Sequence, residues 1–163
     1  VGTAKIYAES GSGKKAYYTV NVEYPQDKLV LAVSNESVRA SADKVTLDIL
    51  VVNNPGIAGV TLNLEFDDSV FEIASVTDGD FSEFEIVEGM GSQSPYKILA
   101  YNVSDVTGDG TLVSVTFNIL EDAEPGMYDI AVKSNSQEDN LMVVDQNGEV
   151  IEHLAFDGII TLR

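Results

Sequence analysis

The sequence predicts an all-β protein, a sandwich of two packed sheets, and three observations carry that prediction. Val, Ile, Thr, Tyr and Phe come in short bursts, and Gly, Asn, Asp and Ser interrupt them about every 8 to 12 residues. Within the bursts, apolar and polar residues alternate with period two. Val45, Leu47, Ile49 and Val51 share one face of the run Lys44–Val52, and Thr46 and Asp48 share the other. No segment carries the apolar period of an amphipathic helix of any length. With 163 residues, 44% of them apolar, there is room for one well-cored domain and a fragment.

The fragment comes first. Thr3–Ala8 and Ala16–Val22 read as strands around the turn signal Glu9-Ser-Gly-Ser-Gly-Lys14. Lys5, Lys14, Lys15 and Lys28 all precede Leu29, so the basic residues crowd toward this end. The run GTAKIYAESGSGKKAYYTVNV resembles the last two strands of a bacterial immunoglobulin-like repeat. Residues 1–24 are therefore expected to be the C-terminal hairpin of such a repeat, with 25–27 as linker. A lone hairpin is marginal in water, so it either frays or packs on the main domain, burying Ile6 and Tyr18.

The main domain is expected over residues 28–163. Its strands are read at Leu29–Ser34, Lys44–Val52, a run through Val60, Leu62, Leu64 and Phe66, then Glu72–Thr77, Glu83–Val87, Lys97–Val103, Thr111–Leu120, Tyr128–Ser134 and Gly158–Leu162. Asn53-Asn-Pro-Gly56 and Glu121-Asp-Ala-Glu-Pro-Gly126 are turns, and Asp67–Phe71 is a compact loop. About nine strands suffice for two packed sheets. Phe66, Phe71 and Phe117 are the aromatics expected to fill the layer between them.

Charge and composition remove several functions. Nine basic against 27 acidic residues give a net charge of −18, the wrong sign for nucleic acid or anionic membrane surfaces. There is no cysteine, hence no disulfide, thiol chemistry or cysteine-based metal site. No apolar run of about 18 residues and no signal-peptide pattern occur, so the chain is expected to be a piece of something longer. His153, the single histidine, has no serine, cysteine or second histidine at motif spacing and reads as a surface or edge residue. No glycine loop cradles a phosphate. Asp105-Val-Thr-Gly-Asp-Gly110 imitates the start of a calcium loop, but its twelfth position is Thr116 instead of a bidentate acid, so it reads as a Gly-rich turn. There is no Trp, and only Tyr96 and Tyr101 are candidates for stacking on a sugar. Asn35-Glu-Ser37 and Asn102-Val-Ser104 match the glycosylation sequon.

Three stretches resemble one family. GIAGVTLNLEFDDSVFEIASVTDGDF (Gly56–Phe81), DGTLVSVTFNILEDAEPGMYDI (Asp109–Ile130) and FDGIITL (Phe156–Leu162) are similar, in order and spacing, to cohesin domains. The resemblance implies a nine-stranded jelly-roll β-sandwich without catalytic function or cofactor, monomeric when free. It implies a secreted or bacterial cell-surface scaffoldin module of the cellulosome kind. Its partner would be a dockerin-bearing protein, and any calcium would belong to the dockerin. It further implies a docking face on the third, fifth, sixth and eighth strands. Position by position, that puts Gly59 and Thr61 on the third strand, Gly91 and Gln93 on the fifth, Ala100 and Asn102 on the sixth, Asp105 and Gly108 just after it, and Leu141 near the eighth. In better-known cohesins the third-strand pair is often Asn and Asp, and the position matching Asn102 is often apolar. Thr61, Ala100, Asn102, Asp105 and Leu141 are expected to lie exposed on one side of one sheet. The alternative is a cell-surface adhesin or carbohydrate-binding β-sandwich module, against which the missing aromatic platform counts.

Overall fold

The computed structural model describes residues 2–136 and 138–163. The strands, in chain order, are β1 (Gly2–Glu9), β2 (Lys15–Val22), β3 (Leu29–Val33), β4 (Glu36–Val38), β5 (Lys44–Val52), β6 (Ile57–Glu65) and β7 (Phe71–Asp78). They continue with β8 (Glu85–Glu88), β9 (Tyr96–Val106), β10 (Gly110–Ile119), β11 (Gly126–Lys133), β12 (Met142–Val144), β13 (His153–Phe156) and β14 (Gly158–Leu162). The nine strands read from the main domain's sequence are all present, with ends displaced by at most about three residues. Three were missed. β4, β12 and β13 hold three or four residues each, too few for an alternation to register.

β13-β3-β5-β10-β7 form one sheet and β4-β14-β11-β6-β9-β8 the other, with β12 also paired to β6. Alternation decides what faces the gap between them. Along β5 every second residue is buried, as Val45, Leu47, Ile49 and Val51 require, and Val60, Leu62 and Leu64 do the same for β6. The three expected aromatics sit in that gap: Phe117 meets Phe66 edge-on at 5.1 Å and Phe71 at 5.9 Å. On the outer face of β5 and β10, polar side chains bond across strands, as in Thr46–Thr116 (2.8 Å) and Ser114–Asp48 (2.6 Å).

β1 and β2 pair only with each other, from Gly2↔Val22 to Glu9↔Lys15. The pairing segregates their side chains. Thr3, Lys5, Tyr7 and Glu9 with their partners make a polar face, where Lys15 reaches Glu9 at 3.3 Å. Ala4, Ile6 and Ala8 with Ala16, Tyr18 and Val20 make an apolar one. Burial of Ile6 and Tyr18 against the sandwich does not occur: they are 59% and 71% exposed. The linker, in contrast, is held down. Tyr24 packs on Phe156 at 5.3 Å, and the Asn53 side chain donates to the Pro25 carbonyl.

Candidate protein-docking surface

β6 lies at the centre of its sheet and is flanked on one edge by β9. Its other edge is shared: β11 pairs with Asn63–Glu65 and β12 with Gly59–Thr61. β8 extends the sheet beyond β9. Because directly opposed residues point the same way, the register sets two outward rows. One runs Glu85, Tyr101, Gly59, Val144, and the other Val87, Leu99, Thr61, Met142. Most of these side chains are apolar although they face solvent, with Val87 46% and Tyr101 38% exposed. Nearby Val103 stands clear of the surface. The row residues of β6, β9 and β12, with Val103, Gln146 and Gly148, border a shallow hollow of about 480 Å³ that β8 does not reach.

Its rim is acidic and built on backbone hydrogen bonds. Asp105 accepts the Gln146 N–H at 2.7 Å and thereby ties the start of the β9–β10 turn to the loop after β12. In that loop Asp145 accepts the Glu149 N–H (2.8 Å) and the Asn147 N–H (2.9 Å). These bonds, the one from Glu149 first, hold its carboxyl below the ordinary carboxylate range. On the opposite side, the Glu85 carboxylate paired across from Tyr101 pushes the phenol's pKa up, with partial burial adding to the effect.

Gly59 and Thr61, which the resemblance puts on the third strand, lie in these outward rows, and Asn102 and Asp105 border them half-buried. Gly108 lies farther out in the β9–β10 turn at φ 99°, its carbonyl accepting from Asn54. Four expectations need correction. Ala100 is fully buried: it pairs with core residue Val60, and its neighbours Leu99 and Tyr101 take the outward positions. Leu141 is 3% exposed, and Met142 and Val144 are the residues β12 turns outward. Both are one-residue slips, and in a strand one residue reverses the face. Gly91 and Gln93 belong to the connection after β8, where the Ser92 carbonyl accepts from Ile73 of the other sheet. The fifth-strand positions on the face are Glu85 and Val87.

The other candidates are structural. Tyr96 is buried and cannot stack on a sugar, so Tyr101 is left alone. Asp109 of the calcium-like turn accepts the Asn54 N–H at 3.1 Å. His153 lies on edge strand β13, and its Nε2 meets the Ser134 hydroxyl at 2.7 Å, a pair that sequence spacing hid. Ser134 is 1% exposed, and His153 Nδ1 faces the Ile151 carbonyl and not a carboxylate, so the pair fastens the β11–β12 loop to β13.

The family model that describes the cohesin domain matches residues 29–157. The chain belongs to the cohesin family. Cohesins are non-catalytic recognition modules, and the fold agrees. The third cohesin of ScaC from Acetivibrio cellulolyticus, solved with the ScaB dockerin, superposes with a TM-score of 0.71 at 17% identity, over 82% of this chain and 98% of that one. The cohesin of OlpA from Clostridium thermocellum, solved in a type I complex with a dockerin, gives 0.70 at 15% identity, over 84% and 100%. A non-cellulosomal cohesin from the archaeon Archaeoglobus fulgidus gives 0.70 at 13%, over 83% and 91%. No curated protein matches the chain.

Proposed function

We propose that this cohesin binds a dockerin-bearing partner through the outer face of β8, β9, β6 and β12, and works as an assembly module on a secreted or cell-surface scaffoldin. The observation that carries the reading is the pair of outward rows, in which Val87, Leu99, Met142, Val144 and Tyr101 face water around Gly59 and Thr61. An apolar centre rimmed by polar groups is the form of a recognition surface, where a few residues carry most of the energy. Calorimetry with a panel of calcium-loaded dockerins tests it. Saturable one-to-one binding to at least one, abolished by Leu99→Asp, is the expected result; no binding to any overturns it.

The hairpin supports a separate assignment: residues 1–24 are the end of a preceding immunoglobulin-like repeat and 25–27 the linker to the cohesin. One face of β1–β2 is uniformly apolar and both of its strands have an unpaired edge, which is the condition of two strands taken from a larger sandwich. A longer stretch of the parent protein that begins upstream should fold as two units, with Ile6 and Tyr18 protected from exchange and labelling. If both remain as accessible as in residues 1–163, the assignment is wrong.

A further inference from the structure

Lys97 and Lys133 are the two basic residues within the strands β6, β8, β9, β11 and β12, and they flank one residue. Asn63 of β6 pairs with Lys97 of β9 on one edge and with Lys133 of β11 on the other. Directly opposed residues leave the same side of a sheet. Leu62, Leu64, Ile98 and Val132, their neighbours along the strands, are buried, so Lys97, Asn63 and Lys133 face out as a third row. It lies beyond the row of Val87, Leu99, Thr61 and Met142, four residues along β6 from Gly59, or about 13 Å.

Charge is therefore ordered along the strands. At the Gly59 end, Glu85 flanks the face on β8, while Asp105 and Asp145 flank it beside β12. No Lys or Arg among the described residues lines the hollow there. The middle row is uncharged. At the far end stand two ammonium groups. Lys97 Nζ donates to the Asp139 carbonyl at 3.1 Å, and the Ser136 hydroxyl takes the Asp139 carboxylate (2.8 Å). Glu65 belongs to the next row, opposite Ala131. The ion pairs among the described residues are Lys15–Glu9 and Lys28–Glu152. Neither Lys97 nor Lys133 is tied up in one, although the chain carries 27 acidic residues.

We propose that this order selects the partner and fixes its direction, with Lys97 and Lys133 as specificity residues. The docking segment carries Asp or Glu over the lysine row, apolar side chains over the middle row, and Lys or Arg over the Glu85–Asp145 end. Turned end for end, it would set like charges against like at both ends, which suppresses that pose. The pattern rests on the docking reading above and adds to it the chemistry of the partner's contact segment.

Calorimetry with a dockerin that binds the parent chain, at low salt and in about 1 M NaCl, tests this. Lys97→Glu/Lys133→Glu should bind about tenfold or more weakly at low salt, with most of the difference gone at high salt. Both side chains are exposed, so the melting temperature should hold. Lys97→Gln/Lys133→Gln should lose less, and Lys44→Glu, on the outer face of the other sheet, nothing. Changing the acidic residues of the dockerin's contact segment to Lys should restore binding to Lys97→Glu/Lys133→Glu and not to Glu85→Lys, which fixes the direction. Parent-like binding by the Glu variant, a loss that high salt leaves intact, or equal rescue at both ends overturns the proposal while the docking reading stands. No binding by any dockerin of the panel overturns the docking reading, and this pattern with it.

Discussion

Gly59 faces Val144 across the β6–β12 ladder without room for a side chain: a Cβ on Gly59 would lie 2.9 Å from Val144 Cγ2. Val is stiff at χ1, and β12 is only three residues long, so the strand has to move if the glycine is replaced. Gly59→Val should therefore push β12 away from β6 and cost about 1–3 kcal/mol of folding stability. Chemical denaturation measures this. A variant as stable as the parent would mean that β12 is free to shift and that Gly59 is not needed for its seating.

Leu141 and Met142 should respond in opposite ways to the same charge. Leu141→Asp puts a carboxylate into a buried position and should cost about 3 kcal/mol or more of stability. Met142→Asp, like Leu99→Asp, places the charge on the outer face; folding should be little changed, and dockerin binding should lose about 2–4 kcal/mol. Paired denaturation and calorimetry on the variants check this, and equal loss of stability at both positions would refute the register described for β12.

That pair also marks how far the sequence could be read. Gly59 and Thr61 fall in the outward rows because Val60, Leu62 and Leu64 alternate with Thr61 and Asn63 along β6, and each polar position fixes the face of its neighbours. Leu141–Val144 is apolar throughout and offers no alternation. Ala100 is small enough to look tolerable outside, but the pairing with Val60 that turns it inward is a long-range fact. The two-sheet fold was legible because it needs only period and turns. The identity of the face was half legible, because a resemblance locates strands more securely than it locates single residues within them.

Asp105, which the resemblance implies on the docking face, accepts the Gln146 N–H through its carboxylate. It therefore holds the rim of the face in place. Asp105→Ala should release the loop after β12, speed exchange of the Gln146 amide and weaken dockerin binding by about 1 kcal/mol. Asp105→Asn keeps an acceptor oxygen and should restore most of the protection. If exchange at Gln146 is unchanged in Asp105→Ala, the tie does not exist in solution.

Tyr96 gives the fold an alkaline limit. Burial first, then the hydrogen bond to Glu88 (2.9 Å) and that carboxylate's charge, push its phenol up to about 12 from 10.0. A pKa raised in the folded state means that the folded chain binds the proton more tightly than the unfolded one. The contribution is fully present below pH 10.0 and is lost as pH rises toward about 12. Stability should fall across that window, and Tyr96→Phe should flatten the fall. Identical pH profiles for parent and variant would rule this out.

Removal of residues 1–22 should leave the cohesin's melting temperature unchanged. The hairpin's apolar side chains are exposed, Ile6 and Tyr18 among them, so cutting it off uncovers nothing in the sandwich core. The linker is another matter. Tyr24 covers Phe156 on edge strand β13, and Asn53 holds the Pro25 carbonyl as well as that of Lys28 (3.1 Å). A truncation that also takes residues 23–27 should therefore lower stability where the shorter one does not, by about 1 kcal/mol for the aromatic contact. Scanning calorimetry on the two truncations separates these effects. A fall in melting temperature on loss of 1–22 alone would show that the hairpin packs on the sandwich after all, and equal stability of the two truncated chains would show that the linker is not pinned.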